Sequence, residues 1–160
     1  MKITLFTSNQ SRHINLIHSL SKISDEIFCI QECNTIFPGQ VADFFKKSEI
    51  MQTYFKNVID AEKKIFGPIK FNPLNSKTLS IKNGDLSKLN KELLKPALNS
   101  DLYLVFGSSY IKGWLIDFLV SKGAFNIHMG LSPYYRGSSC NFWALYDGKP
   151  EYVGATIHKL

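Results

Sequence analysis

Residues 102 to 128 read Leu-Tyr-Leu-Val-Phe-Gly-Ser-Ser-Tyr-Ile-Lys-Gly-Trp-Leu-Ile-Asp-Phe-Leu-Val-Ser-Lys-Gly-Ala-Phe-Asn-Ile-His, and they decide the fold. The unbroken apolar run at 102–106 is that of a strand buried on both faces. Residues 111–120 repeat their apolar side chains at helical spacing, and 125–128 return to an extended stretch after Gly123. Strand, helix and strand in that order form a βαβ unit, whose two strands run parallel.

The same alternation extends in both directions. Residues 2–7 carry Ile3, Leu5 and Phe6 and end in the polar turn Thr-Ser-Asn-Gln-Ser, after which Ile14, Leu16, Ile17 and Leu20 recur at helical spacing. Residues 26–31 predict a short second strand, and residues 40–66 a helical insertion. The stretch 67–84, with two prolines and three asparagines, reads as a loop or a weak strand. A helix is predicted over 86–98, another over 141–145, and a last strand over 152–158. The result is an α/β chain with a parallel or mostly parallel sheet.

Polar chemistry collects where the strand at 125–128 ends. Side chains two apart on a strand share a face, so Asn126 and His128 point the same way and can address one substrate atom. The following Met-Gly-Leu-Ser-Pro-Tyr-Tyr-Arg-Gly, with breakers at Gly130, Pro133 and Gly137, predicts an open loop. Ligands of parallel sheets bind beyond the carboxyl ends of strands. The competing reading is a strand whose last polar residues satisfy the backbone of a loop.

The string Phe125-Asn-Ile-His-Met-Gly-Leu-Ser-Pro-Tyr-Tyr-Arg-Gly137 resembles the signature of the folate-dependent formyltransferases, in which Asn-x-His precedes a Leu-x-Pro-x-x-Arg-Gly loop. The likeness continues through Asn141-Phe-Trp143, the Asp147-Gly-Lys-Pro turn and Val153-Gly-Ala-Thr-Ile-His158, and loosely over residues 1–31 and 101–120. That family includes methionyl-tRNA, glycinamide ribonucleotide and nucleotide-sugar N-formyltransferases and formyltetrahydrofolate hydrolase. It implies a Rossmann-like, mostly parallel sheet with flanking helices, 10-formyltetrahydrofolate as formyl donor, and Asn126 and His128 as catalytic residues. The chain departs from the pattern in one respect. The family's third catalytic residue, an Asp in an Asp-x-Gly turn after the Gly-x-Thr-Ile-His strand, would fall just past Leu160. The expectation is that residues 1–160 form a formyltransferase-like catalytic domain truncated at its carboxyl end. Asp147, in an exposed turn, is not a stand-in.

The resemblance maps the pterin pocket onto Gly107, Ser108, Ser109, Tyr110 and Ile111, where Gly107 allows close backbone approach and Tyr110 can cover an aromatic ring. A plain strand-to-helix turn with serine caps explains the same residues. In glycinamide-type relatives the first loop holds the substrate's phosphate. Here it reads Ser8-Asn-Gln-Ser-Arg-His13, so Asn9, Gln10, Arg12 and His13 are candidate substrate ligands at a helix start, against simple helix capping. Ser132 and Arg136 are further candidates. Seventeen of the nineteen basic residues are lysine, and the only arginines, Arg12 and Arg136, both fall in these loops. A planar two-point donor cannot be replaced there by an ammonium.

Composition narrows the function classes. With 160 residues, 44% apolar and 13% aromatic, the chain has enough material for a single packed domain. No stretch has the length of apolar sequence that a membrane span needs, and the start reads as a strand rather than a secretion signal, so the expected location is the cytoplasm. Three cysteines without paired zinc spacing argue against a disulfide framework and a structural metal. His13 and His18 are badly spaced for a shared metal ion. The first turn lacks G-x-G-x-x-G, which disfavours a dinucleotide. The charge of +6 gathers in residues 63–95, where eight lysines face only Asp85 and Glu92; a solvated surface outweighs an RNA-binding one. Cys140 and His128 as a nucleophilic pair are set aside for want of an orienting third group. His158 is read as structural, and Trp114, Phe142 and Trp143 as core.

The leading expectation is therefore formyl transfer from 10-formyltetrahydrofolate to a primary amine on a small molecule, with a nucleotide-linked amino sugar ahead of other acceptors and tRNA only if the acceptor is an aminoacyl-tRNA. Hydrolysis of the formyl donor, and a non-catalytic folate- or nucleotide-binding module, are the alternatives.

Overall fold

The computed structural model describes residues 1–34 and 49–160. Six strands form one sheet: β1 (Lys2–Ser8), β2 (Glu26–Cys33), β3 (Ser76–Lys82), β4 (Leu102–Val105), β5 (Phe125–His128) and β6 (Thr156–Lys159), in the order β3-β2-β1-β4-β5-β6. Every neighbouring pair is parallel except β5 and β6, which run antiparallel. The mostly parallel sheet expected from the βαβ pattern is what the chain forms.

Period-two alternation builds a core on each face of this sheet. Ile3, Leu5, Ile27, Cys29, Leu104 and Phe106 face one side, where Ile14, Ile17 and Leu20 of helix α1 (Ser11–Ser21) cover them. Phe6, Phe28, Ile30, Tyr103 and Val105 face the other, under Leu115 and Leu119 of α4 (Trp114–Ser121) and under Leu86, Leu94 and Ala97. The last three come from the stretch predicted as one helix over 86–98. It is instead a series of single turns, with α3 (Lys91–Leu94) between two 3-10 turns. Asn90 caps α3 by accepting from the Leu93 N–H at 2.8 Å, and Pro96 lies in the second 3-10 turn, so no continuous α ladder runs through.

Three other expectations shift. The weak-strand reading of 67–84 resolves into β3, a full edge strand whose partly exposed, serine- and lysine-rich sequence hides its extended character. Helix α4 starts at Trp114 rather than at residue 111, because the Lys112 N–H is engaged by Ser87 Oγ at 3.0 Å outside any helical turn. The strand read at 152–158 begins only at Thr156, after a 3-10 turn at Pro150–Tyr152. Of the helical insertion at 40–66, helix α2 (Glu49–Phe66) is present, while 40–48 lies outside the described residues. Helix α5 (Cys140–Tyr146) follows the loop after β5, close to its predicted place.

The order of strands positions the site. From β1 the chain runs outward through β2 and β3, and from β4 it runs the opposite way through β5 and β6. The crevice at such a reversal, above the carboxyl ends of β1 and β4, is where an open parallel sheet takes ligands.

Candidate active site

A cleft of about 710 Å³ opens at that edge. It is lined by Asn126 and His128 from β5, by the lip Gly107–Ser108–Ser109–Tyr110–Ile111 that follows β4, and by Arg12 from α1. Thus both candidate catalytic residues and all five candidate pocket residues share one cavity, although up to 21 positions separate them in the chain.

Each of the two candidate side chains has a hydrogen-bond partner that orients it. His128 Nε2 lies 3.0 Å from the Tyr135 carbonyl oxygen, which only accepts, so the neutral ring carries its hydrogen on Nε2 and leaves Nδ1 with a free lone pair. Gly130 lets the loop pass close by, since a side chain there would meet His128 Nε2 at 2.9 Å and Cys140 Cβ at 2.5 Å. Thr156 pins the same loop, donating to the Gly130 carbonyl at 2.9 Å and accepting from the Ser132 N–H at 3.0 Å. The Ser132-Pro133 peptide bond is cis.

His158, read from sequence as structural, lies outside the cavity lining but contacts Asn126. It sits opposite Asn126 in the β5–β6 register, and its Nε2 is 3.3 Å from Asn126 Nδ2. Its Nδ1 is 2.8 Å from the Lys159 carbonyl oxygen, so Nδ1 donates there and Nε2 accepts from the carboxamide. One N–H of Asn126 is thereby occupied and the other remains for a ligand. The signal was present in the alternation of Thr156, Ile157 and His158, but an antiparallel return strand was needed to put it beside Asn126.

Cys140 also reaches the site, with Sγ 3.6 Å from His128 Nε2 and 3.4 Å from the Gly137 carbonyl. The loop that separates them in sequence folds back to join them. Burial pushes the thiol pKa up, so the sulfur stays protonated and is a poor nucleophile.

The first loop is divided. Arg12 lines the cleft, but its guanidinium is paired with Glu62 of α2, so an anionic ligand would share it with a carboxylate. Asn9 lies outside the lining and bonds both polar groups of its amide to the Asn34 backbone, at 3.0 Å each. The Gln10 N–H donates to His13 Nδ1 at 3.2 Å, closing the first turn of α1. His13 is only 1% exposed, packs edge-on against Phe106 at 4.9 Å between centroids, and has its pKa driven well below the usual value by burial and then by the Arg12 charge. These three side chains shape the loop in this structure and do not enter the cavity. Ser132 and Arg136 also lie outside the lining, Arg136 being exposed on the same loop. Of the residues read as core, Phe142 is buried and Trp114 partly so; Trp143 is 45% exposed, on the outer side of α5.

Among the described residues no cluster of side chains suits a metal ion, and no helix is long and apolar enough to cross a membrane.

No protein-family model matches the chain. Its fold is nevertheless similar along its whole length to solved structures of one functional type. A phosphoribosylglycinamide formyltransferase from Anaplasma phagocytophilum superposes with a TM-score of 0.55 at 16% identity, over 100% of this chain and 64% of that one. Glycinamide ribonucleotide transformylase 1 from Symbiobacterium toebii gives 0.56 at 14%, over 100% and 66%. A 4-N formyltransferase from Francisella tularensis gives 0.51 at 21%, over 99% and 50%. The chain has the fold of these formyltransferases. It spans between half and two thirds of their length. The fold that the Asn-x-His resemblance implied and the likeness in three dimensions agree.

Proposed function

We propose that the protein moves a formyl group from 10-formyltetrahydrofolate to a primary amine. The observation that carries this reading is the shared cleft, in which an amide donor and an imidazole with a free lone pair stand side by side at the end of β5, facing the Gly107–Ile111 lip. Its volume, about 710 Å³, lies within the roughly 300–1,000 Å³ typical of small-molecule sites.

The chemistry follows from the donors available. The amine nitrogen attacks the formyl carbon, the carbonyl becomes an oxyanion, and the bond from that carbon to the folate nitrogen then breaks, while the amine gives up one proton. The unoccupied N–H of Asn126 stabilises the oxyanion, a task for which a preorganised donor is worth about 10²- to 10³-fold in rate. His128 takes the amine's proton on Nδ1 and, once protonated, can return it to the departing folate nitrogen. Tyr110, 87% exposed at the lip, is free to fold over a planar ring system. Among the described residues Arg12 is the one Lys or Arg in the cavity wall, and it suits an acceptor with an anionic group only if that group competes with Glu62. The 4-N formyltransferase among the similar structures supports a nitrogen acceptor, and a nucleotide-linked amino sugar is the acceptor class we favour.

The test is a transfer assay with 10-formyltetrahydrofolate and a panel of amines that includes nucleotide-linked amino sugars, following formyl-amine and tetrahydrofolate together. Stoichiometric appearance of both is the expected result. Formate without any amine would replace the proposal with hydrolysis, and tight folate binding without turnover would replace it with a binding module.

A further inference from the structure

Glu32 has no exposed surface at all, yet it carries a carboxylate at the end of β2. A charged group out of water is costly unless fully hydrogen-bonded. Here its Oε1 accepts from the Gly84 N–H at 2.8 Å, the Leu86 N–H at 3.3 Å and Ser109 Oγ at 2.8 Å, while Oε2 accepts from the Ser109 N–H. No lysine or arginine pairs with it among the described ion pairs. The carboxylate therefore joins three chain segments through neutral donors: the end of β2, the turn after β3, and the lip of the cleft.

A second bridge runs between the last two. Ser87 Oγ donates to the Tyr110 carbonyl at 3.3 Å and accepts from the Lys112 N–H at 3.0 Å. Among the described residues, apart from these bonds, lip residues 108–112 have only a local Ser108 hydroxyl bond to the Ser109 carbonyl and the burial of Ile111 to hold them.

We propose that Glu32 is the positioning residue of the lip: by gripping Ser109 through both its N–H and its hydroxyl, it fixes the wall against which the flat part of a folate-like ligand rests. The ligand part of this proposal rests on the proposed function, whereas the positioning part does not. Replacing the carboxylate by an amide turns one acceptor into a donor facing N–H and O–H groups, so the lip must move.

The experiment pairs hydrogen exchange of the free protein with calorimetry using a non-reactive 10-substituted folate analogue, on wild type, Glu32→Gln and Glu32→Asp. The expected outcome for Glu32→Gln is fast exchange confined to Ser109–Lys112 and the 84–86 turn, with affinity for the analogue weakened about ten- to a hundredfold, the loss appropriate to bonds with a charged acceptor. Donor KM should rise far more than kcat falls, and Glu32→Asp should recover part of the loss. Unchanged protection at the lip, or equal loss of protection across β1, β2 and β4, overturns the proposal, the latter because Glu32 would then hold the fold and not the lip. Should Glu32→Gln not fold, Ser109→Ala removes a single bond of the set; faster lip exchange with a smaller affinity loss is expected, and no change in either overturns it. Failure of wild type to bind the analogue would sink the proposed function, while the exchange arm still judges Glu32.

Discussion

Gly107→Ala should be far more damaging than a glycine substitution in a loop usually is. Gly107 has φ +71°, a left-handed conformation that costs a side-chain-bearing residue about 1 kcal/mol. A Cβ there would also lie 2.2 Å from His13 Nε2 and about as close as 3.0 Å to His13 Cδ2. The ring cannot swing aside, because it is buried, packed on Phe106 and bonded through Nδ1 to the Gln10 N–H. Forcing extra volume into such packing costs about 1–3 kcal/mol, so the total is roughly 2–4 kcal/mol, or about 5–15 °C in melting temperature for a chain of this size. The control is Gly148→Ala, where φ is +69° but nothing lies within 4 Å, and only the conformational part of roughly 1 kcal/mol applies. Urea unfolding followed by tryptophan fluorescence measures both. Making the change in a His13→Ala background should remove most of the excess, giving a coupling of about 1–3 kcal/mol. Equal costs at Gly107 and Gly148, or no coupling to His13, would refute the contact between helix α1 and the lip.

Under the proposed role as oxyanion donor, Asn126→Ala should lower turnover about 10²- to 10³-fold while leaving the melting temperature within a few degrees, since the side chain is only partly buried; a variant that keeps wild-type turnover contradicts the role. His13 is held neutral in the folded chain, with a pKa well below the ordinary 6.5, so the unfolded chain binds the extra proton first as pH falls. Stability is therefore lost below about pH 6.5, by at most about 1.4 kcal/mol per pH unit for this one group, and His13→Gln should flatten that dependence in pH-resolved urea titrations. Among the thiols, Cys33 is exposed, Cys29 is buried with its pKa pushed up to about 12, and Cys140 is buried and shifted upward. A thiol reagent at pH 8 should label Cys33 first and Cys29 only on unfolding; early labelling of Cys29 in mass spectrometry would contradict its placement in the core.

The sheet was legible because β4 writes its burial in an unbroken apolar run, and the αβ order admits few topologies. Residues 102–106 needed nothing else, whereas 125–128, Phe-Asn-Ile-His, were placed by their alternation and by their position after a helix. The edges were harder to place for the same physical reason: β3 exposes much of its surface and read as a loop or weak strand, and β6, read as a strand over 152–158, is mostly exposed and begins only at Thr156, where it pairs with β5. The broken helix at 86–98 was misread because its apolar spacing reflects burial of Leu86, Leu94 and Ala97 under the sheet, which short turns achieve as well as a helix does.

The site divides along a similar line. Asn126 and His128 were read onto one face because a strand imposes a fixed two-residue period, and both line the cavity. The contacts of Glu32 with Ser109 and of His158 with Asn126 were not legible because the partners are 77 and 32 positions apart. Asn9, Gln10 and His13 illustrate the converse. A polar loop at a helix start presents the same letters whether its side chains bind a ligand or close the turn, and here each has a backbone or ring partner close by. Arg12 alone among them reaches the cavity, and Glu62, from a helix no local pattern connects with it, balances its charge. The charge that Arg12 presents to the cleft is therefore set between α1 and α2. Removing Glu62 should strengthen binding of such an acceptor if Arg12 serves as its ligand, and leave it unaltered if Arg12 only ties the two helices together.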